Sequence, residues 1–351
     1  MDSIAAHWKE LSGEGNWQNL LHPLDHYLRP YIIHYGERVG AVGDLYDDKT
    51  KKPGASVSKE NFFEQACLIK GNQFKYVVTH FLYAESAWFG YVAVAPDDGK
   101  AVLGRRDILV AWRGTKTDSE WIKNANCTPK RATELFGPTT NAMVHTGFLS
   151  LYTSARKQVL DAVSELVNKY QNEEISITVT GYSLGAALAT LTAMDIVASK
   201  RNKSFMVTAF VYGGPRVGNT GLKEEFRKLG AGGRGRLHLL RIQNYWDTVP
   251  QLPINSVYDY IHVGEELVVD TSKSKDLKYK DSASAHELNV YLHGVAGVQE
   301  SGFKLAVDLD IALVNKYLDC LNDPNIPPYW WDVDEKRRKM VQKEDGHWEK
   351  K

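Results

Sequence analysis

The sequence has 351 residues, enough for one large α/β domain or two ordinary domains, and 43% of them are hydrophobic, enough for a full core. Lys and Arg together number 43, as do Asp and Glu, so the formal net charge at pH 7 is zero. This balance gives no reason to expect nucleic acid or a strongly anionic surface as the main partner.

The N-terminal part, residues 1–75, is predicted to consist of helices and loops. Its stretch WQNLLHPLDHYLRPYIIHYGERVGAVGDLYDD has apolar residues at helical spacing, interrupted by Pro23 and Pro30. The first residues, MDSIAAHWKELSGEGNWQNLL, lack the pattern of a secretory signal and the Arg/Ser-rich, acid-poor composition of a transit peptide. We therefore expect a helical extension that packs on the core.

From residue 76 onward, short apolar strands alternate with helices. Strands are predicted in FKYVVTHFLYA, WFGYVAVAPD, DILVAWRGT, the segment from Ile175, FMVTAFVYGGP and RLHLLRIQNYWD, and helices in FLSLYTSARKQVLDAVSELVNKYQ, after Ser183 and around residues 222–229. This alternation predicts an α/β fold with a mostly parallel sheet and helices on both faces. We assign residues 76–325 to that domain and residues 326–351 to a charged C-terminal tail. From Asp332 onward we expect a solvated end rather than a binding arm.

The three cysteines, Cys67, Cys127 and Cys320, lie far apart without CxxC spacing. Free thiols in a reducing compartment are therefore favoured over a disulfide framework. No apolar run in the sequence approaches the roughly 18 residues of a membrane span. We expect a cytoplasmic protein that contacts membranes, if at all, from outside.

A serine lies between two glycines where a predicted strand ends and a predicted helix begins, in the motif GYSLG. The turn that exposes such a hydroxyl is sharp, and side chains at Gly181 or Gly185 would collide with neighbouring backbone. The N-terminus of the following helix favours negative charge on a substrate oxygen. The pattern therefore indicates that Ser183 is a nucleophile rather than only a small residue in a tight turn.

A serine nucleophile needs a base and an orienting acid, which follow it in this fold class in the order Ser, Asp or Glu, His. Asp247 fits the acid, because it follows an apolar strand in the turn before Pro250. Asp195 lies within the helix after Ser183, and Asp259 is a weaker second choice.

Four histidines follow Asp247 in the sequence: His262, His286, His293 and His347. His262 belongs to a strand-like run and His347 to the charged tail. His286 follows a small, polar stretch at a predicted helix start, and we favour it as the base. His293 stays open as the alternative, since it lies two helical turns, or about 10 Å, further along and both cannot reach the serine.

These motifs in this order resemble the class 3 lipases, an α/β-hydrolase family that includes the secreted fungal triacylglycerol lipases. The stretches VAWRGTKTDSEWIKN, VHTGFLSLYTSA and VYGGPRVGN resemble further family motifs and extend the match over residues 75–300. Three further stretches are similar to the plant phospholipase A1 type II group: WQNLLHPLDHYLRPYIIHYGE, HELNVYLHGVAG and DIALVNKYLDCL. They extend the resemblance over nearly the whole chain. The chain departs from the fungal enzymes at two positions. Within the motif GYSLG it has Tyr182 where they have His, and directly after the motif it has Ala186 where they have Gly.

The resemblance implies an enzyme that cleaves the sn-1 acyl ester of phospholipids at a membrane or micelle surface, with monoacylglycerols or galactolipids as further substrates. By the family's pattern, the backbone N–H groups of Thr115 and Leu184 form the oxyanion hole. Residues 118–126, with Trp121 and Ile122, would form a lid that turns its apolar face to lipid. No cofactor or metal is implied, and no HxxxH pattern or His/Asp cluster at ligand spacing occurs in the sequence.

Two other interpretations share this fold. A soluble carboxylesterase for small esters would have the same serine, acid and histidine, and would differ in the size of its substrates. A catalytically silent lipase-like scaffold would have a broken triad or would lack an oxyanion residue, whereas Ser183, Asp247, His286 and Thr115 are all present.

Overall fold

A computed structural model describes residues 3–85, 87–115, 127–231, 237–254, 258–278, 281–298 and 302–351. Its α-helices are Ile4–Leu11 (α1), Leu28–Asp44 (α2), Phe62–Gln65 (α3), Asp97–Leu103 (α4), Thr133–Phe136 (α5), Thr146–Lys169 (α6), Leu184–Ala198 (α7), Thr220–Ala231 (α8), Ser282–His286 (α9) and Leu288–Ala296 (α10). Short 3-10 helices are formed by Val249–Gln251, Thr271–Lys273, Ile311–Lys316 and Glu335–Arg337.

Seven strands of the described residues form one sheet, in which the spatial order follows the order of the chain. They are Val77–Ala84 (β1), Ala87–Val94 (β2), Arg106–Trp112 (β3), Ile175–Tyr182 (β4), Met206–Tyr212 (β5), Leu237–Asn244 (β6) and Glu265–Val269 (β7). The first three strands are antiparallel neighbours, and β3 to β7 run parallel to one another. The segments that follow these parallel strands therefore emerge at one edge of the sheet, which is where ligands bind in open α/β sheets.

Four further pairs of short antiparallel strands occur among the described residues outside this sheet. They pair Tyr46–Asp47 with Lys52–Pro53, Pro129–Arg131 with Met143–His145, Gly297–Val298 with Lys304–Leu305, and Met340–Gln342 with Trp348–Lys350.

Both faces of the sheet are covered by helices. Ile108 and Val110 of β3 pack into the core that contains α6 and α7, whereas Leu109 and Ala111 pack into the core that contains α2 and α10. Because successive side chains of a strand point to opposite faces, a strand covered on both sides is apolar throughout. The predicted mostly parallel sheet with helices on both faces is confirmed.

A buried polar network joins α2 to β3 and β4. The carboxylate of Asp107, which is inaccessible to solvent, accepts hydrogen bonds from four hydroxyls: Tyr35 (2.9 Å), Tyr76 (2.7 Å), Ser176 (2.6 Å) and Thr178 (2.8 Å). The equally buried Arg105 lies 3.6 Å from the same carboxylate. Burial and the Asp107 charge raise the pKa of Tyr35 and of Tyr76 well above the usual value, so that both phenols remain donors.

Pro30 does not interrupt the helix, contrary to the expectation from the sequence. It is the third residue of α2. The first N–H groups of a helix have no acceptor within the helix, so the missing N–H of a proline costs little in the first turn.

The C-terminal segment packs on the protein, and the expectation of a solvated end from Asp332 onward fails for Arg338 and Met340, which are buried. Trp330 and Met340 are buried in one apolar cluster, and the guanidinium of Arg338 lies 3.8 Å from the ring centre of Trp331. The tryptophans and Met340 anchor a segment whose remaining residues are mostly charged. The composition of the segment therefore suggested exposure to solvent although its few large apolar side chains are buried.

No helix among the described residues is both long enough and apolar enough to span a bilayer.

The Asp107 network predicts a large loss of stability for Asp107→Ala. This change leaves the Arg105 charge buried without its partner, and we expect the free energy of unfolding to fall by about 3–5 kcal/mol. Urea unfolding followed by circular dichroism measures the loss. Asp97→Asn is the matched control, because Asp97 contacts Arg106 at 2.6 Å but is 93% exposed, and its loss should be much smaller. Equal losses for the two variants would contradict a stabilising role of the network.

Candidate active site

The chain turns sharply between β4 and α7, and Ser183 occupies the turn. Its φ of 56° lies in the left-handed region, which residues other than glycine seldom adopt. A Cβ atom on Gly181 would lie 2.1 Å from the carbonyl oxygen of Gly185, and one on Gly185 would lie 2.3 Å from the carbonyl oxygen of Trp112. These contacts confirm that neither glycine of the motif leaves room for a side chain.

Ser183, His286 and Asp247 form one hydrogen-bonded row. His286 Nε2 lies 3.0 Å from Ser183 Oγ, and His286 Nδ1 lies 2.7 Å from Asp247 Oδ2. All three residues are buried. The structure thus brings together the serine, acid and favoured histidine of the sequence analysis, in the geometry by which an imidazole takes a serine proton while a carboxylate orients the ring.

Asp247 is held by three donors at the end of β6. Its Oδ1 accepts the backbone N–H of Val249 at 2.8 Å, and its Oδ2 accepts the hydroxyl of Tyr291 at 2.6 Å as well as the bond from His286. Burial and the nearby Asp247 raise the pKa of Tyr291 well above its usual value, so this hydroxyl remains a donor. A Cβ atom on Gly213 would lie 3.2 Å from Asp247 Oδ2, so a side chain there would crowd the carboxylate.

The backbone around His286 is held from two strands. Tyr182, the last residue of β4, donates its hydroxyl to the carbonyl oxygen of His286 at 2.7 Å. Asn244, the last residue of β6, donates its side-chain amide to the carbonyl oxygen of Ala285 at 2.9 Å. The sequence placed His286 at the start of a helix; it is instead the last residue of the short α9, and Glu287 separates it from α10.

His293, the alternative base, lies in α10 away from the serine. Its Nε2 is 2.8 Å from Ser274 Oγ, and its ring stacks on Phe303. Burial lowers the pKa of His293 to about 4, so the ring is neutral at neutral pH. His293 is therefore a packed, hydrogen-bonded side chain in this structure.

The other candidates from the sequence also have partners elsewhere. These are His262 with the carbonyl of Pro250 (2.8 Å), His347 with Asp308 (3.2 Å), Asp195 with Arg156 (2.6 Å) and Asp259 with Thr220 (2.6 Å).

The segment after β3 lies against the turn at Ser183, where an oxyanion hole was expected. A Cβ atom on Gly114 would lie 3.2 Å from the Cβ of Ser183, which puts the backbone preceding Thr115 beside the serine. Leu184 is the first residue of α7, and the first N–H groups of a helix have no acceptor within the helix. Both backbone N–H groups named from the sequence therefore belong to segments adjacent to Ser183.

Arg113 stabilises this segment. Its Nε donates to the carbonyl oxygen of Trp88 at 2.9 Å, and a terminal nitrogen donates to the carbonyl oxygen of Gly114 at 2.8 Å. The guanidinium also lies 3.8 Å from the ring centre of Tyr46 and 4.2 Å from that of Phe89. Arg113 is buried among these groups and fixes the backbone next to Thr115.

The predicted lid, with Trp121 and Ile122, lies outside the described residues, within 116–126. It stays a prediction. In the described part of the chain, no cluster of three His, Cys, Asp or Glu side chains is arranged to hold a metal ion.

Comparison with known proteins places the chain in a family. Residues 109–257 match the family model described as lipase (class 3). The chain is 43% identical to phospholipase A1-II 6 of Oryza sativa subsp. japonica, over 99% of this chain and 95% of that protein. It is 40% identical to phospholipase A1-IIgamma of Arabidopsis thaliana, over 99% of this chain and 92% of that protein. The chain belongs to the class 3 lipase family. The resemblance stated from the sequence is thereby confirmed, and this lipase is a relative of the plant phospholipases A1-II.

Solved structures confirm the α/β-hydrolase fold of this lipase. The lipase from Rhizopus microsporus var. chinensis superposes with a TM-score of 0.52 at 23% identity, over 69% of this chain and 74% of that chain. Lipase II from Rhizopus niveus gives a TM-score of 0.51 at 23% identity, over 68% and 80% of the two chains.

Sequence reasoning missed the residues that position the acid and the histidine of this lipase. These residues are Tyr182, which the sequence shows only as a departure from the fungal motif, Tyr291 and Asn244. Tyr291 gave a usable signal, because a hydroxyl in an otherwise apolar buried helix needs a hydrogen-bond partner. Asn244 gave another, as a polar residue at the end of an apolar strand three positions before Asp247.

The contact between Tyr291 and Asp247 predicts a defect in turnover for Tyr291→Phe. The variant loses a hydrogen bond to a carboxylate, of a kind worth about 1.5–3 kcal/mol, so kcat on a soluble ester should fall at least about tenfold with KM unchanged. Steady-state kinetics on a short-chain nitrophenyl ester measures both constants. Tyr329→Phe, which removes an exposed hydroxyl, is the control. A kcat equal to that of the control would show that Tyr291 does not position the acid.

Proposed function

We propose that the protein is a serine acylhydrolase that cleaves the sn-1 acyl ester of phospholipids, with Ser183 as nucleophile, His286 as base and Asp247 as the acid that orients the base. The row of hydrogen bonds from Ser183 through His286 to Asp247 is the observation that supports this most. The substrate class is supported by the relatives, which match nearly the whole chain and are named phospholipases A1-II. Monoacylglycerols and galactolipids contain the same type of ester and are proposed as further substrates.

In this mechanism His286 Nε2 takes the hydroxyl proton as Ser183 Oγ attacks the ester carbonyl carbon. The negative oxygen of the tetrahedral intermediate accepts hydrogen bonds from the backbone N–H groups of Thr115 and Leu184, and one such donor contributes about 3–4 kcal/mol. His286 then protonates the departing alcohol oxygen, which leaves an acyl ester on Ser183. A water molecule that loses its proton to His286 attacks this ester and releases the fatty acid.

We further propose that the reaction takes place at a membrane or micelle surface. Tyr245 and Trp246 directly precede Asp247 and are 65% and 48% exposed, with their rings 5.6 Å apart. They follow β6 at the same edge of the sheet at which Ser183 follows β4. Tyrosine and tryptophan favour the boundary between water and lipid, so an exposed pair beside the active site suits contact with lipid.

The location proposed for this reaction is the cytoplasm. Cys67 and Cys320 are thiols, which suits a reducing compartment. The Sγ of Cys67 accepts a hydrogen bond of 2.9 Å from Arg338 and so has a place in the packing as a thiol.

The proposed chemistry is tested with phospholipids labelled separately in the sn-1 and sn-2 acyl chains. We expect the wild-type protein to release the sn-1 acid. Ser183→Ala and His286→Ala should each lower kcat by three or more orders of magnitude, because each removes a member of the triad. His293→Ala should retain most of the activity and lose stability instead, because its ring is buried against Phe303.

The outcomes that contradict this scheme are distinct. More than a tenth of wild-type activity in Ser183→Ala would exclude Ser183 as the nucleophile. An active His286→Ala with an inactive His293→Ala would reverse the choice of base. Hydrolysis of small esters without phospholipid cleavage would favour the soluble carboxylesterase, and no ester hydrolysis at all would favour the silent scaffold.

The surface proposal predicts a selective effect of Trp246→Ser. Activity on phospholipid vesicles should fall several-fold, while activity on a soluble short-chain ester changes little, because only the vesicle reaction needs adsorption to lipid. Binding to phosphatidylcholine vesicles by sedimentation gives an independent measure. Tyr329→Ser, which removes an exposed aromatic ring elsewhere, is the control. Equal losses on vesicles and on the soluble ester would assign Trp246 a structural role.

A further inference from the structure

A cavity of about 320 Å³ lies beside the active site, between α2, the segment after β3 and the start of α10. Thr115 and Tyr182 line it on the side of the serine, and Glu287 and Leu288 line it on the side of the histidine. Its volume is at the lower end of the range for small-molecule pockets. It therefore adjoins both the expected oxyanion donors and the proposed base, without containing Ser183 itself.

The position of this cavity relative to His286 indicates which half of an ester would enter it. In a serine hydrolase, the imidazole that accepted the serine proton returns it to the departing alcohol oxygen. The alcohol half of the ester must therefore lie on the side of the imidazole. The cavity is lined by residues 287–289, which directly follow His286.

We propose that this cavity is the subsite for the alcohol half of the substrate, the glycerol backbone with its phosphate head group. The inference depends on the proposed ester hydrolysis. It goes beyond that proposal because it makes α2, a helix that precedes the sheet in the chain, part of the binding site for the departing alcohol. It makes Gly40 and Gly43 the residues that determine how large an alcohol is accepted.

Two glycines of α2 keep this cavity open. A Cβ atom on Gly43 would meet no atom within 4 Å, and one on Gly40 would lie 3.6 Å from Leu288, at ordinary contact distance. Gly36 differs, because a Cβ atom there would lie 2.4 Å from a methyl carbon of Leu292, so packing explains that glycine. Glycine is unfavourable inside a helix, and the structure offers no packing reason for Gly40 and Gly43. The space in front of them is the cavity.

The lining of the cavity is mixed, with more apolar than polar surface. Val39 and Leu288 provide apolar contacts, whereas Asp44, Glu287, Asn289 and Tyr317 are polar. Asp44 accepts hydrogen bonds of 2.7 Å from both Lys316 and Tyr317, so its charge is compensated and its position is fixed. A mixed lining of this kind matches glycerol carbons flanked by ester and phosphate oxygens.

The test compares substrates that share one acid and differ in the alcohol. Dihexanoylphosphatidylcholine and methyl hexanoate are used below the micellar concentration, so that adsorption to lipid plays no part, and methyl decanoate tests acid length separately. In Gly43→Leu, the ratio of kcat/KM for dihexanoylphosphatidylcholine to kcat/KM for methyl hexanoate should fall at least tenfold. The ratio for methyl decanoate to methyl hexanoate should stay as in the wild type.

Two further variants make the test decisive. Gly43→Ala adds one methyl group and favours the helix, so it should fold and lower the first ratio about two- to threefold. Ala101→Leu adds the same bulk at an exposed position of α4 and should leave both ratios unchanged. If Gly43→Leu does not fold, the same two ratios are measured in Gly43→Ala and Gly40→Ala, and these two variants then decide whether the cavity binds the alcohol.

A fall in the ratio for acid length instead of the ratio for alcohol size would identify an acyl pocket and overturn the proposal. Unchanged ratios in folded Gly43→Leu would overturn it as well. If the wild-type protein does not cleave the phospholipid, the proposed function fails separately. Trihexanoylglycerol then replaces the phospholipid as the large-alcohol substrate, and the same comparison still tests the cavity.

Discussion

The structure depends above all on the close backbone contact where β4 turns into α7. Ser183 adopts its left-handed conformation because Gly181 and Gly185 let this turn lie directly on the carbonyl oxygen of Trp112, at the end of the neighbouring strand. That contact requires β3 beside β4, and Gly213 imposes a similar limit at the end of β5, where a side chain would meet Asp247 and Tyr291. The geometry of the site therefore requires this order of the parallel strands, because each strand beside β4 ends at a residue whose backbone must lie close to the site.

How much of this follows from the sequence depends on the range of the interaction. The strands β1 to β6 and the helices α6, α7 and α8 were predictable because their apolar spacing is a local property, and Ser183 and Asp247 were predictable because each lies just beyond such a strand. The sequence favoured His286 but left His293 open. Only the tertiary structure separates them, since the break at Glu287 turns two positions of one expected helix into parts of two helices. Tyr182, Asn244 and Tyr291 were missed because their roles exist only after β4, β6 and α10 have come together.

The two errors at the ends of the chain have a common physical origin. Pro30 suggested a break from its residue type alone, and the charged residues from Asp332 onward suggested a solvated end from their average composition. Neither expectation used the position of the residues in the fold. A proline in the first turn of a helix loses no hydrogen bond, and a charged segment is held in place by a few large aromatic side chains. Trp330 and Trp331 are such anchors, with the charges of Lys316 and Arg338 stacked on the ring of Trp331.

Helix α2 connects these distant parts to the active site because it is held at its middle and at its C-terminal end. In the middle, Tyr35 bonds to Asp107 of β3; at the end, the carboxylate of Asp44, the last residue of the helix, bonds to Lys316 and Tyr317. The carbonyl oxygen of Asp44 also accepts a hydrogen bond from the indole of Trp331 at 3.3 Å. Gly40 and Gly43 lie near this C-terminal end, in a stretch that would be the most pliable part of an isolated helix. The C-terminal segment therefore contributes to the cavity beside His286 without entering it, because it determines where the wall formed by α2 stands.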